Sequence, residues 1–189
     1  MSDRYADIAF TDSVKAAQQA LGSRAVYARR ETGPDFNGRL GPEETQFIAE
    51  RDGFYIASKS ETDWPYVQFR GGPPGFLRVI GDDEVGFADF RGNRQYVTAG
   101  NLTADNRVSL FLMDYANSRR LKMFGLARLV DLETDPELVK SLAVKGYPAR
   151  IERAVLIKVQ AFDWNCPQHI TPRFSEEEFA RRFGSSRKS

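Results

Sequence analysis

The chain has 189 residues, of which 27 are lysine or arginine and 26 are aspartate or glutamate, so its net charge is close to zero. This balance excludes the global basic field that attracts nucleic acid or an anionic membrane. No stretch approaches the roughly 18–20 apolar residues that a membrane span requires, and Cys166 is the single cysteine, which excludes a disulfide within the chain. We therefore expect a cytoplasmic protein that binds neither nucleic acid nor a membrane.

The first part of the chain is predicted to be helical. Thr11 is an N-capping residue before "DSVKAAQQAL", and Gly22 is the expected stop. A second helix is expected over "GPEETQFIAERDG", where Pro42 stands at the start, and "RRETGPDFNGRLG" is a turn-rich connection between the two. Acidic residues are interspersed with the arginines of this region, which favours a solvated surface or a subunit contact for the cluster Arg24, Arg29, Arg30 and Arg39.

From residue 54 the composition changes to that of β-strands. Seven segments rich in aromatic and β-branched residues are bounded by Gly, Asp or Asn: "FYIASKS", "PYVQFR", "GFLRVIG", "EVGFADF", "RVSLFLMDY", "RRLKMFGLARLVDL" and "AVLIKVQAFDW". Gly125, inside the longest segment, is expected at a bend or β-bulge. Helices are expected over "NRQYVTAGNLTADN", "DPELVKSLAVKGY" and "SEEEFARRFG", before a fraying end. Consecutive strands with short turns predict an antiparallel barrel or closed sheet that is mainly β with flanking helices.

One strand ends in a candidate anion site. The stretch "EVGFADFRGNRQYVTAGN" predicts a strand, a tight turn and a helix capped by Asn93. Arg94 and Gln95 would then lie in the first helical turn, where the helix dipole disfavours a cation. A bound anion would supply the missing negative charge, and phosphate suits the guanidinium fork. A surface arginine paired with Asp89 or Asp105 fits the same pattern, so the local sequence leaves both interpretations open.

Two further segments carry arginines into the predicted sheet. In "RGGPPGFLRVIG", glycines that allow close backbone approach precede Arg78, whose side chain needs a counter-ion or solvent; an ordinary hairpin loop explains the same glycines. In "NSRRLKMFG", Arg119 and Arg120 are neighbours on a strand, so their side chains point to opposite faces. One of the two must face the covered side of the sheet or a ligand cleft.

The segment "FDWNCPQHI" brings Trp164, Cys166 and His169 to one strand end. A lone histidine is more often a structural hydrogen-bonding residue, and a lone cysteine is more often a small core residue. With one of each, a His-rich metal site and a cysteine cluster are excluded. The sequence contains no Walker loop, no GxSxG and no GxGxxG after a strand.

The ordered set of motifs is similar to that of a known superfamily. "WPYVQFRGGPPGFLRVI", "GFADFRGNRQYVTAGN", "DNRVSLFLMDY", "RRLKMFG" and "FDWNCPQHI" together resemble the pyridoxamine 5'-phosphate oxidase-related FMN-binding split barrels, in particular their branch of predicted flavin-nucleotide-binding proteins. The resemblance implies an antiparallel split β-barrel over 45–172 within a single domain of 1–189. A helical segment at 1–44 would precede the barrel, and a helix and tail at 173–189 would follow it.

The resemblance also implies FMN as the cofactor, bound at the interface of a homodimer. The residues that match the family's flavin positions are Phe76, Leu77, Arg78, Val79, Ala88, Asp89, Asn93, Arg94, Gln95, Arg120 and Trp164. Arg78 matches a phosphate-binding lysine, and Arg120 matches a glutamine that contacts the flavin ring. Arg78, Arg94 and Arg120 are therefore expected to converge on the FMN phosphate, with Cys166 and His169 as candidates for groups near the ring.

Two departures separate the chain from true pyridoxamine 5'-phosphate oxidases. Pro73 stands where their signature strand begins with arginine, and "WNCPQHITPR" replaces their substrate-binding motif of a tryptophan and spaced arginines. The resemblance therefore implies an FMN-dependent oxidoreductase whose substrate and electron donor the sequence does not specify. The alternatives are a flavin-binding or sensor protein without turnover, a split barrel that binds deazaflavin or haem, with His169 as the one histidine for the iron, and a non-flavin interaction domain with surface arginines.

Replacing Arg94 by alanine is expected to give a folded protein that purifies with little flavin. Loss of one charge-assisted phosphate contact weakens FMN binding by about 1.5–3 kcal/mol, or roughly 10- to 150-fold. The flavin absorbance of the purified variant, measured after denaturation, checks this. Full and tight FMN loading of Arg94→Ala would contradict the assignment of the phosphate to Arg94.

Overall fold

The computed structural model of the protein describes residues 4–32 and 37–184. In chain order its elements are α1 (Arg4–Ala9), α2 (Asp12–Ala20), α3 (Arg24–Glu31), α4 (Pro42–Ala49), β1 (Gly53–Lys59), β2 (Pro65–Gly71), β3 (Arg78–Val79), β4 (Glu84–Phe90), α5 (Val97–Ala104), β5 (Arg107–Asp114), β6 (Arg119–Asp131), α6 (Pro136–Ser141), β7 (Ile151–Trp164) and α7 (Glu176–Phe183). The strands form one antiparallel sheet in the order β2-β1-β5-β6-β7-β4-β3. Part of the predicted turn-rich connection, 33–36, and the predicted fraying end, 185–189, lie outside the described residues.

The predicted strands are all present, which confirms the mainly β architecture with flanking helices. The segment predicted around Arg78 is the shortest, with a ladder of two residues. The expected helices at α2 and α4 are also present, with the side chain of Thr11 accepting a hydrogen bond from the Val14 N–H. The boundary predicted at residue 45 falls inside α4. None of the helices in the described ranges combines the length and the apolar character that crossing a bilayer would need.

The sequence does not predict α1 and α3, because tertiary contacts rather than local patterns hold them. The Tyr5 ring of α1 stacks on Phe124 of β6 with 5.2 Å between ring centroids. Arg30 of α3 forms an ion pair with Asp163 of β7, Nη2 to Oδ1, at 2.6 Å. Both partners are more than a hundred residues away in sequence, so a local pattern carries no sign of them.

Helix α5 begins later than predicted. It starts at Val97, after Tyr96 in a left-handed conformation with φ of 55°. The prediction that Asn93 caps the helix and that Arg94 and Gln95 occupy its first turn is therefore wrong. The Asn93 side-chain oxygen accepts a hydrogen bond from the Gln95 N–H at 3.1 Å, a local turn that competes with helix formation. The helix-dipole argument for an anion consequently does not apply to Arg94.

The barrel core forms because strand residues alternate between two faces. The inward positions of β1, β4, β5, β6 and β7 are apolar and buried: Phe54, Ile56, Val85, Phe87, Leu110, Leu112, Leu121, Met123, Val155, Ile157 and Val159. The Phe54 ring contacts both Phe76 and Phe87, at centroid distances of 5.7 and 5.4 Å. Helix α4 covers one end of the core with Phe47, which packs edge-on against Trp164.

The expected irregularity at Gly125 is confirmed. The register between β6 and β7 shifts between Phe124 and Gly125. A Cβ atom at Gly125 would lie 2.4 Å from Cγ2 of Ile157 and 3.1 Å from the Lys158 carbonyl oxygen. The close approach of the two strands therefore requires glycine, and the bulge increases the curl of the sheet.

The curled sheet brings its two ends together without joining them by a ladder. β2 lies at one end of the strand order and β4 lies next to the other end, yet Arg70 of β2 is 3.2 Å from Asp89 of β4. Helix α5 is held against one side of this opening, since Thr98 donates to the Gln68 side chain of β2 and Asn101 donates to Ser58 of β1. This arrangement is a split barrel.

Helices cover only part of the outer face of the sheet. A second apolar cluster forms where Val139 and Leu142 of the α6 region pack on Ala88, Ala154 and Leu156. On the outer side of β1 and β2, by contrast, Tyr55, Val67 and Phe69 remain 38%, 60% and 56% exposed. We call these three residues the apolar face.

Arg78 ties β3 to the segment that follows α6. Its guanidinium Nη1 donates to the Ser141 carbonyl oxygen at 2.6 Å, and Nη2 donates to that of Ala143 at 3.0 Å. Its Nε donates to the Gly75 carbonyl oxygen at 3.4 Å. Backbone carbonyl groups, rather than a carboxylate counter-ion, thus bind this side chain, and its Nη1 contact lies at the surface.

Replacing Arg78 by methionine is expected to lower the free energy of unfolding by about 1.5–3 kcal/mol, because carbonyl groups lose charge-assisted donors. Urea denaturation followed by circular dichroism measures this. Arg128→Met is the matched control, since the Arg128 side chain is 58% exposed and forms a surface ion pair with Glu84. The control should change the free energy by no more than about 0.5 kcal/mol. Equal losses of unfolding free energy in Arg78→Met and Arg128→Met would contradict the stabilising role assigned to the Arg78 hydrogen bonds.

Candidate functional site

A cavity of about 250 Å³ lies at the split of the barrel. Its walls come from β2, from the end of β4, from the loop 91–96 and from the start of β7. Arg70 and Arg94 supply the positive charges of the lining, and Asp89 and Glu152 supply the negative ones. Phe69, Phe76 and Phe87 supply apolar surface.

Strand periodicity explains why charged side chains meet here. Arg70 is the cross-strand partner of the inward-facing Phe54, and Asp89 is the partner of Arg153. Asp89 lies two residues beyond the core residue Phe87 on the same strand, so it points to the same inner side. The barrel interior therefore changes from aromatic to charged at this end.

Asp89 is held between two arginines. Its side chain is buried, with Oδ1 3.2 Å from Nη1 of Arg70 and Oδ2 3.7 Å from Nε of Arg153. Burial raises the pKa of the Asp89 carboxyl above its ordinary value, while Arg70 and Arg153 act in the opposite direction and the charge of Glu152 adds to the rise. The two arginines thus offset part of the cost of burying this charge, but not all of it.

Arg70 and Arg94 have donor capacity left for a ligand. The Nε atom of Arg70 is buried and has no hydrogen-bond partner among the described residues. Asp89 pairs with Arg70 and Arg153, and Asp105 pairs with Arg107, so neither carboxylate considered as a surface partner for Arg94 binds it. Arg94 is exposed at the cavity with φ of 64°, a conformation that a non-glycine residue adopts at a cost. The left-handed turn at Arg94 thus places at this cavity a guanidinium group that makes no ion pair with residues 4–32 or 37–184.

Arg70 was not among the predicted site residues, although the sequence contains a signal for it. The alternation in "PYVQFR" places Gln68 and Arg70 on one face of the strand and Val67 and Phe69 on the other. The alternation does not show how deeply the Arg70 side chain enters the barrel, because that depth depends on the curl of the sheet and on Asp89.

The cavity brings together some of the predicted flavin-contacting residues and leaves out others. It is lined by Phe76, Ala88, Asp89, Asn93 and Arg94. The remainder lie elsewhere: Leu77 is buried in the core, Val79 packs against it, Arg78 binds carbonyl groups, Gln95 is exposed on the loop, and Arg120 and Trp164 line a separate groove. Flavin contacts of either group stay predictions.

The groove at Arg120 and Trp164 has a volume of about 390 Å³. Trp164 donates its Nε1–H to Glu44 at 2.7 Å, and the Arg119 guanidinium lies 4.5 Å from the Trp164 ring centroid. Leu121 is in the core, so Arg120, its neighbour, faces the outer side of β6, as the predicted opposite orientation of Arg119 and Arg120 requires. The Nε atom of Arg120 is buried and has no partner among the described residues.

Cys166 and His169 lie on the segment after β7. Both are exposed, and neither lines the cavity or the Arg120 groove. Their predicted position near a flavin ring stays a prediction.

The raised pKa of Asp89 gives a pH dependence with a defined sign. The pKa of Asp89 in the folded protein lies above the ordinary value of 3.8, so the folded state holds this proton more tightly than the unfolded state does. The resulting stabilisation is complete below the ordinary pKa and is lost as the pH rises through the pKa of the folded protein. The unfolding free energy of the wild type minus that of Asp89→Asn should therefore increase between pH 7 and pH 4. Urea denaturation of both proteins measures the difference. A difference that shrinks on acidification would contradict the dominance of burial.

Comparison with solved structures identifies the fold. The HupZ protein of Group A Streptococcus superposes with a TM-score of 0.55 at 13% identity, covering 71% of this chain and 99% of that chain. A putative pyridoxamine 5'-phosphate oxidase from Lactobacillus delbrueckii superposes with a TM-score of 0.51 at 16% identity, covering 67% and 94%. No protein-family model matches the sequence, and no curated protein matches it at a significant level. At these identities the similarity shows the fold, and the chain has the split-barrel fold of pyridoxamine 5'-phosphate oxidase-related proteins that its ordered motifs predicted.

Proposed function

We propose that the cavity at the split binds the phosphate of FMN and that the protein is a homodimeric FMN-dependent oxidoreductase. The observation that carries the proposal is the pair of guanidinium groups, from Arg70 and Arg94, that line one cavity with donors to spare. A phosphomonoester offers several acceptor oxygens and close to two negative charges, which suits two arginines better than a carboxylate does.

Asp89 contributes by orienting Arg70. Its carboxylate engages one Nη atom of Arg70, and the Nε–H of Arg70 is left over for another acceptor. A guanidinium group held in this way loses less side-chain entropy when the ligand binds than a free one does. The role proposed for Asp89 is therefore positioning rather than direct contact with the phosphate.

The size of the cavity supports a site shared between two copies of the chain. Sites for drug-sized ligands measure roughly 300–1,000 Å³, whereas this cavity measures about 250 Å³. The Phe69 ring lies over Gly53, where a Cβ atom would meet it at 2.3 Å, and Phe69 belongs both to the cavity lining and to the apolar face. A second copy docked on the apolar face would thus complete the wall of the cavity.

Arg120 is the residue that the second copy would supply. It faces the outer side of β6, and its cross-strand neighbour is Met113 of β5, the strand next to β1. Its buried Nε has no partner among the described residues. In the proposed dimer, Arg70 and Arg94 of one copy bind the phosphate while Arg120 of the other approaches the flavin.

When bound, FMN would supply transfer of a hydride or of single electrons between a reductant and an acceptor. The residues of the chain hold the phosphate, orient the arginines and exclude water from the core side of the site. A flavin-binding protein without turnover shares all of these features. Stopped-flow reduction of the FMN-loaded protein by NADH or NADPH separates the two, because a flavin that neither donor reduces favours the protein without turnover.

Two observations favour FMN over the other cofactors considered. The acidic tail of a deazaflavin needs a basic groove, but Arg24, Arg30 and Arg39 are each paired with a carboxylate. Haem needs an axial ligand, and His169, the only histidine of the chain, is exposed and lines neither the cavity nor the Arg120 groove.

Mixed dimers test the shared site. Arg94→Ala and Arg120→Ala homodimers should each bind FMN weakly, because every site carries one substitution. A mixed dimer of the two variants has one site with both substitutions and one site with neither. Random exchange at equal concentrations should therefore restore tight binding in about a quarter of all sites, measured by flavin fluorescence titration.

The matched control mixes Arg94→Ala with Arg70→Ala, which the proposal assigns to the same copy. Every site in that mixed dimer keeps one substitution, so binding should stay weak. Restoration in the control, or no restoration with Arg120→Ala while the wild type binds FMN tightly, would contradict the shared site. A wild type that binds no FMN would contradict the proposed function itself.

A further inference from the structure

A β-bulge determines where Glu152 points. In the ladder between β4 and β7, Asp89 pairs with Arg153 and Phe90 pairs with Ile151, so Glu152 is the extra residue without a partner. A bulge re-aims side chains that strict alternation would send to opposite faces. Glu152 and Arg153 consequently both reach the cavity region, Glu152 in its lining and Arg153 against Asp89.

Glu152 is held at the rim of the cavity from the opposite wall. The Tyr96 hydroxyl donates to its Oε1 at 3.1 Å, and Nε of Arg91 lies 3.5 Å from the same oxygen. The Tyr96 residue is 42% exposed and the Glu152 side chain 16%, so this contact lies near the surface. Tyr96 also lies over Arg153, whose guanidinium carbon is 5.6 Å from the ring centroid. The loop 91–96 is thereby fastened to β7 across the cavity.

The charges around the cavity suit a dianion. Arg70, Arg91, Arg94 and Arg153 carry four positive charges and Asp89 and Glu152 carry two negative ones, which leaves a net of two positive. A terminal phosphate monoester carries close to two negative charges at neutral pH on one compact group. A phosphodiester carries only one charge on that group, and its second ester chain must leave the cavity past the rim.

We propose that the Tyr96–Glu152 contact closes the phosphate end of the cavity and restricts it to flavins with a terminal phosphate monoester. This inference rests on the proposed FMN function and adds its specificity. In FAD the phosphate continues into a second phosphate, and the Glu152 carboxylate in the cavity lining would repel that negative charge. The Tyr96 ring and hydroxyl would also have to move to let the chain leave.

The test compares the dissociation constants of FMN and FAD for the wild type and for Glu152→Gln, by fluorescence titration of the flavin-free protein. Glu152→Gln keeps the size of the side chain and removes its charge. The wild type should bind FMN more tightly than FAD. In Glu152→Gln, the dissociation constant of FAD divided by that of FMN should fall by about tenfold, as expected for removing one like charge at short range. Tyr96→Phe, which removes the hydroxyl hydrogen bond to Glu152 while the Arg91 contact remains, should reduce the ratio in the same direction.

Two controls separate charge at this position from other effects. Glu152→Asp keeps the charge but shortens the side chain away from Tyr96, so it should lower the ratio no more than Tyr96→Phe does and less than Glu152→Gln does. Glu84→Gln makes the same charge change on β4, outside the cavity lining, and should leave the ratio unchanged.

Tight FMN binding with an unaltered ratio in both Glu152→Gln and Tyr96→Phe would overturn this inference and leave the FMN proposal standing. A wild type that binds FAD as tightly as FMN would also overturn it. A wild type that binds neither flavin would overturn both.

Discussion

The buried carboxylate of Asp89, set between Arg70 and Arg153, is the contact on which the architecture of the site depends. The strands that carry Arg70 and Asp89 lie near opposite ends of the sheet order, and no ladder joins them among the described residues. A charge pair therefore joins the two ends where no ladder does, beside the aromatic contact of Phe54 with Phe87. A closure of this kind leaves a gap in the wall, and the cavity occupies that gap. Buried ion pairs stabilise little in themselves, so we infer that this one matters chiefly for the arrangement of Arg70 at the cavity.

Much of the fold could be predicted from local patterns. Period-two alternation located the strands, capping residues located α2 and α4, and Gly125 marked the bulge. The predictions failed where a side chain finds a partner that the local pattern does not show. Arg78 binds carbonyl groups more than sixty residues further along the chain, and Asn93 bonds to its own turn and delays the start of α5. The acceptors of Arg78 are too distant in sequence to leave a periodic signal, whereas the Asn93 bond is local and competes with the predicted helix cap.

Part of the candidate site could likewise be predicted from local patterns, and part of it could not. The tight turn at Asn93 and Arg94 identified one wall of the cavity, and the guanidinium group of Arg94 together with the resemblance supplied the expectation of a phosphate. Arg70 was missed because its depth in the barrel depends on the curl of the whole sheet. The predicted convergence of Arg94 and Arg120 does not occur within the described part of one chain, since the two line different depressions, and the proposed dimer is the arrangement that would bring them to one ligand.

The most direct measurement is a crystal structure of the protein grown with FMN. The account predicts a phosphate group in the cavity at the split, in hydrogen-bond contact with Nε of Arg70 and with the Arg94 guanidinium, and an Arg120 from a second copy beside the flavin. A phosphate bound elsewhere on the barrel, with Arg70 and Arg94 contacting only protein or solvent, would contradict it.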